Sequence, residues 1–221
     1  MKDAPLGLVE EWCAVLRLLS LPAEPQALVA SPDDEGDVLA AVSRVCPSAS
    51  IIALDLSSRG CLAPDHPHGA RPERIALTDF ASGVALARES LDLVLLDHSM
   101  DDLVLDAIAR REGIEPDADR GEHSPVLRAL RAYWRSGEVE EVARSALAGL
   151  LPACQHALRQ QAFLILSHRV RAADLPGQPF DLYSDYLALA RSWMAAHATG
   201  FRELSLDGLH PHWWMCLKRG P

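Results

Sequence analysis

Four short apolar runs, three of them ending in an aspartate, constrain this chain more than any other feature. Ala27–Ala30 leads into Ser31-Pro32-Asp33-Asp34-Glu35-Gly36, while Ile51–Leu54 ends at Asp55, Ile75–Thr78 at Asp79 and Leu93–Leu96 at Asp97. Short apolar runs separated by helical stretches predict parallel strands of an open α/β sheet, buried on both faces. In such sheets ligands bind outside the carboxyl ends of the strands. Aspartates at three successive carboxyl ends stand where a ribose or a base amine would be held.

Length and charge narrow the classes further. The 221 residues suffice for one well-buried domain, or one domain with an insertion. No apolar run approaches the roughly 20 residues of a membrane span, so no membrane partner is expected. The net charge of −10 argues against nucleic acid, because binding a phosphate backbone depends on clustered Lys and Arg. Lys2 and Lys218 are the only lysines, so the positive charge is nearly all arginine. The five cysteines (Cys13, Cys46, Cys61, Cys154, Cys216) form no Cys-x-x-Cys pair, and an odd number argues against a disulfide framework. They read as reduced thiols. The start, Met1-Lys2-Asp3-Ala4-Pro5, lacks a charged-then-apolar signal pattern, and a cytoplasmic protein is expected.

Periodicity fills in the order of elements. Leu8, Trp12, Val15, Leu16 and Leu19 recur at helical spacing, and Leu21-Pro22 breaks that helix before the first strand. A second helix opens at Gly36-Asp37 and runs to about Val45. A polar loop from Ser57 to Pro72 precedes the third strand, and a short helix is expected near 83–89. Ser99 reads as the N-cap of a helix whose stripe is Met100, Leu103, Val104, Ala107 and Ile108, with Gly113 as its stop. Residues 114–160 exceed what a simple crossover needs and read as a helical insertion. Within it, Ser124-Pro125 opens a helix that Gly137 ends, and another runs from about Glu138 to Leu150. Such a segment at a sheet's rim suits a lid or a substrate-selecting element. Phe163–Ser167 is the fifth strand and 181–197 is helical. Phe201–Asp207 and His212–Lys218, joined by a Gly/Pro turn, read as an antiparallel hairpin. The expected division is an N-terminal helix over 1–25 and one domain over 26–221.

Five strands with helical crossovers and a terminal antiparallel hairpin resemble the class I S-adenosylmethionine-dependent methyltransferases over about residues 26–219. The resemblance implies a Rossmann-like, mostly parallel sheet of seven strands and S-adenosylmethionine as cofactor. It implies that the loop after the first strand, here Ser31, Pro32 and Gly36, passes the amino-acid part of the cofactor. It puts Asp55 in the ribose position, Asp79 in the adenine position, and Asp97 with His98 where the transferred methyl is faced.

The first loop departs from the family's pattern. Where the family has an acid and then alternate glycines, this chain has Ala30, Pro32, Asp34 and Gly36, so only the last glycine survives. Pro32 has no N–H to offer, and a non-glycine in the middle hinders close approach of backbone to ligand. The same loop speaks against a dinucleotide. Asp33, Asp34, Glu35 and Asp37 compensate the helix dipole themselves and would repel a pyrophosphate. S-adenosylmethionine carries a sulfonium and an ammonium and no phosphate, so an acidic loop tolerates it.

Bland readings compete at each position. Asp is common in turns, so Asp55 and Asp79 could only terminate strands. Asp97, His98, Asp101 and Asp102 form the densest polar group beside a buried strand, where a histidine can take a proton and a carboxylate can orient it. An acid-rich helix start explains the same residues. Asp65-His66-Pro67-His68 is not a metal signature, His168 alone reads as structural, and Cys216 has no basic partner to make it a nucleophile. No metal is expected. The reading is methyl transfer to a small-molecule acceptor, with Asp97 and His98 as catalytic candidates. The alternative is a methyltransferase-like domain without catalysis, serving as a partner or scaffold subunit. A homodimer is compatible with the sequence, which leaves the oligomeric state open.

Overall fold

Side chains alternate across a strand, and here the alternation divides one sheet's surroundings into two cores. The computed structural model describes residues 7–30, 37–55, 73–76, 80, 86–97, 99–114, 124–167, 191–192, 200–209 and 213–221. Among the described residues there are seven strands: β1 (Gln26–Ala30), β2 (Ser50–Asp55), β3 (Glu73–Ala76), β4 (Leu91–Asp97), β5 (Leu158–Ser167), β6 (Phe201–Leu204) and β7 (Trp214–Arg219). Their order is β3-β2-β1-β4-β5-β7-β6. The first five are mutually parallel, and β7 runs antiparallel to both β5 and β6. This is a mixed α/β, Rossmann-like sheet.

Leu28, Val94, Leu96, Leu164, Leu166 and Met215 belong to one core, and Val29, Leu93, Leu95, Phe163, Ile165 and Trp214 to the other. Two-sided burial explains why the central strands are continuous apolar runs. Helices α1 (Leu8–Leu18) and α2 (Asp37–Val45) cover the second core, with Trp12, Val15, Leu16, Val38 and Val42 buried in it. Helices α3 (Ser99–Glu112), α4 (Pro125–Ser136) and α5 (Val139–Ala157) cover the first. Helix α1 is thus part of a layer that packs on the sheet.

Local chemistry sets the boundaries of α4 as expected. Ser124 Oγ accepts the Leu127 N–H at 3.2 Å, Pro125 occupies the first turn, and Gly137 closes the helix with φ of 78°. Gly113 follows α3 with φ of 63°. Tyr133 donates its hydroxyl to Glu112 Oε1 at 2.6 Å, joining α3 to α4, and this bond pushes the phenol pKa up.

Several boundaries differ from the sequence reading. Helix α5 does not stop near Leu150 but runs to Ala157 through Pro152. Pro152 is exposed, while Leu150, Leu151, Ala153 and Cys154 around it are buried, so packing outweighs the lost helical hydrogen bond. The second half of the supposed insertion therefore packs on the sheet as the crossover into β5. Strand β5 begins at Leu158 rather than Phe163. Exposed Arg159, Gln160 and Gln161 disguise its start, Gln161 has φ of 64°, and the register against β4 shifts between Leu91 and Leu93. Strand β6 ends at Leu204, short of Asp207, which lies in a turn with Gly208. Arg88 and Glu89 also lie in a turn rather than a helix. Strand β3 spans Glu73–Ala76, and residues 77–79 lie outside the described residues, as do 181–190 and 193–197 of the last expected helix. Among the described residues no helix is long and apolar enough to cross a membrane.

Candidate functional site

The register of the sheet lines up the carboxyl ends of its strands. Leu54, Ala30, Leu96, Leu166 and Met215 form one row across β2, β1, β4, β5 and β7. One residue further on, β2 presents Asp55, β4 presents Asp97, β5 presents Ser167 and β7 presents Trp214. Asp55 and Asp97 therefore flank the end of β1, one on each side. Two strand spacings put their backbones roughly 10 Å apart. Between β1 and β4 the chain's crossing direction reverses, the place where open α/β sheets bind ligands.

Asp97 is 2% exposed, and its Oδ1 accepts a hydrogen bond from Ser167 Oγ. A carboxylate this deep requires such partners, because burying an unpaired charge is prohibitively costly. Ser167 is itself fully buried. Across the row Trp214 meets Trp12 of α1 edge-on, with centroids 4.7 Å apart. The row thus runs from the buried Asp97 carboxyl through Ser167 to a buried indole.

Ser99 plays a different part from the N-cap expected of it. It lies in the first turn of α3, and its hydroxyl donates to Asp97 O at 2.8 Å and reaches Ala30 O at 3.4 Å. An N-cap accepts from the helix's own N–H groups. Ser99 instead ties the ends of β1 and β4 together beside the crevice.

Charges at the opposite edge of the sheet serve the frame. Asp92 Oδ2 accepts from Gln26 N at 2.9 Å and from Arg159 Nη1 at 2.5 Å. Arg219 donates to Leu158 O and, at 3.1 Å, to Glu89 Oε1. These bonds link the amino ends of β1, β4 and β5 to the end of β7.

Of the residues the sequence singled out, the structure brings Asp97 and the backbone of Asp55 to one edge. Ser31, Pro32, Gly36, Asp79, His98, His168 and the stretch Asp65–His68 lie outside the described residues. Among the described residues no group of three or more His, Cys, Asp or Glu could hold a metal. Ser167 was not singled out, although a lone serine closing the apolar run Phe163–Leu166 was the available signal.

The described cysteines offer no nucleophile here, and Cys61 lies outside the described residues. Cys13, Cys46, Cys154 and Cys216 are free and buried. Burial pushes the thiols of Cys154 and Cys216 each up to about 12, with the Glu203 charge adding to the effect at Cys216. A thiolate is the reactive form, so both should resist iodoacetamide in the folded chain at pH 8 and react once it is unfolded. Peptide mapping by mass spectrometry checks this, and labelling of either under native conditions would contradict the burial.

No protein-family model matches the sequence, and no curated protein matches it by sequence. Solved structures do match its fold. PhzM, a pyocyanin biosynthetic protein, is 16% identical at a TM-score of 0.51, covering 95% of this chain and 54% of its own. CalO1, a methyltransferase in calicheamicin biosynthesis in its SAH-bound form, is 12% identical at a TM-score of 0.50, covering 96% and 54%. A SAM-dependent methyltransferase from Aquifex aeolicus is 11% identical at 0.50, covering 96% of this chain and 88% of its own. The chain spans about half the length of PhzM and CalO1 and most of the Aquifex protein. With the strand order and the reversed β7, these likenesses give the chain the fold of the class I S-adenosylmethionine-dependent methyltransferases.

Proposed function

We propose that this protein is an S-adenosylmethionine-dependent methyltransferase acting on a small-molecule acceptor. The observation that carries the reading is the pair of aspartates, Asp55 and Asp97, flanking the end of β1 at the reversal of the sheet. Carboxylates there suit a ligand with ribose hydroxyls and positive charge, and they oppose a phosphate. The residues thus fit the cofactor's chemistry. The small acceptor is supported by the biosynthetic roles of PhzM and CalO1 and by the charge of −10, which disfavours a nucleic-acid acceptor.

When bound, the cofactor supplies an electrophilic methyl group on a sulfonium. The chain's contribution is then to position and desolvate the reactants. Asp55 and Asp79 hold the nucleoside. Ser31, Pro32 and Gly36 line the passage of its amino-acid part, and Asp97 sets the electrostatics beside the reacting centre. His98 removes the proton of an acceptor hydroxyl or amine. The part of the 114–160 segment that precedes α5, residues 114–138, covers and selects the acceptor from the rim.

Calorimetric titration with S-adenosylmethionine and S-adenosylhomocysteine tests the reading, and no heat from either at millimolar concentration would sink it. Asp55→Ala should weaken S-adenosylhomocysteine by about 1.5–3 kcal/mol, the usual worth of hydrogen bonds to a charged acceptor. An unchanged Kd in that variant would remove Asp55 from the site. The second reading, a domain that serves as a partner or scaffold subunit without catalysis, draws on the first loop. That loop keeps only Gly36 of the expected glycines.

A further inference from the structure

We infer that Ser167 is a positioning residue that aims the Asp97 carboxylate and thereby makes the site prefer a cationic ligand over its neutral counterpart. The inference rests on the cofactor reading proposed above. The two residues are register partners at the carboxyl ends of β4 and β5, and the Ser167 hydroxyl donates to Asp97 Oδ1. Both are almost completely buried, so neither side chain is free to drift with solvent. Ser99 secures the backbone at Asp97 from the other side through the Asp97 carbonyl. Trp214, next in the row, keeps this part of the strand ends dry. A hydroxyl-to-carboxylate bond counts for more in such surroundings than in water. It fixes the plane of the carboxylate. An aimed carboxylate attracts a sulfonium and is indifferent to a thioether. S-adenosylmethionine and S-adenosylhomocysteine differ in that charge and one methyl group, so they report on the aim of Asp97 directly.

The experiment is calorimetric titration of both ligands into the 221-residue chain and three variants. Ser167→Ala should weaken S-adenosylmethionine about ten-fold, and S-adenosylhomocysteine less than about three-fold, as expected for losing one hydrogen bond to a charged group. Asp97→Asn should show the same selective loss. The double variant should discriminate no worse than Asp97→Asn alone, because the hydroxyl acts through the carboxylate. If Ser167→Ala does not fold, Ser167→Thr and Ser167→Val form a pair of equal shape differing in the hydroxyl. The threonine should keep the preference and the valine lose it. Equal weakening of both ligands, or losses that add in the double variant, would overturn the positioning role while leaving the cofactor reading intact. A wild-type chain that binds neither ligand would overturn both.

Discussion

Replacing His98 with alanine is expected to lower turnover by about 10²–10⁴-fold while leaving the affinity for S-adenosylhomocysteine nearly unchanged. His98 follows Asp97 directly in sequence, and Asp97 closes β4 beside the reversal of the sheet. Methyl transfer to a hydroxyl or a protonated amine requires that a proton leave the acceptor, and an imidazole near neutrality can accept it. The loss should therefore appear in kcat and not in cofactor binding, since the proposed role of the histidine is toward the acceptor. Wild-type activity should also fall as pH drops and the imidazole takes up a proton of its own. The alanine variant should lack that limb of the profile. Activity that is unchanged by the substitution across the acid range would assign His98 to the frame of the protein. An acceptor that is already a thiolate or a neutral amine would place the effect near the lower bound.

The second large effect concerns stability. Trp12→Ala should destabilise the fold by about 3–5 kcal/mol, the range for truncating a buried tryptophan. Trp12 is fully buried, packs edge-on against Trp214 at 4.7 Å, and joins α1 to β1, β4, β5 and β7 through one core. Its indole nitrogen is buried with no hydrogen-bond partner among the described residues. Trp12→Phe removes that unpaired group together with some volume, so the two changes oppose each other. It should cost less than about 1.5 kcal/mol. Urea unfolding of the two variants separates the terms. A small loss in Trp12→Ala would mean that α1 detaches from the sheet without disturbing it.

The frame of the fold follows from sequence patterns because its central strands are buried on both faces. Ala27–Ala30, Ile51–Leu54 and Leu93–Leu96 carry no polar residue to blur them, and each lies in a strand. The caps Ser124, Gly113 and Gly137 act locally and were likewise readable. What escaped depends on distant contacts. Pro152 looks like a stop until the burial of Leu151 and Cys154 on either side is known. Arg159 hides the start of β5 because its partner, Asp92, lies 67 positions away. Asp106, an acid in α3, is buried beside its partner Arg110, which an apolar pattern does not anticipate. At the site, Asp97 was readable as an acid closing a strand. Ser167 was not, since its meaning arises only from the register that sets it opposite Asp97.

The placement of β7 between β5 and β6 has a consequence for how the chain is made. Domains generally assemble from the N-terminus as synthesis proceeds. Here the edge of β5, carrying Phe163, Leu164, Ile165 and Leu166, acquires its neighbour only when residues 214–219 have appeared. Until then it presents an open row of backbone donors and acceptors on an apolar strand, the kind of edge that recruits other chains. Pairing with residues 214–219 therefore closes the row that could otherwise recruit other chains.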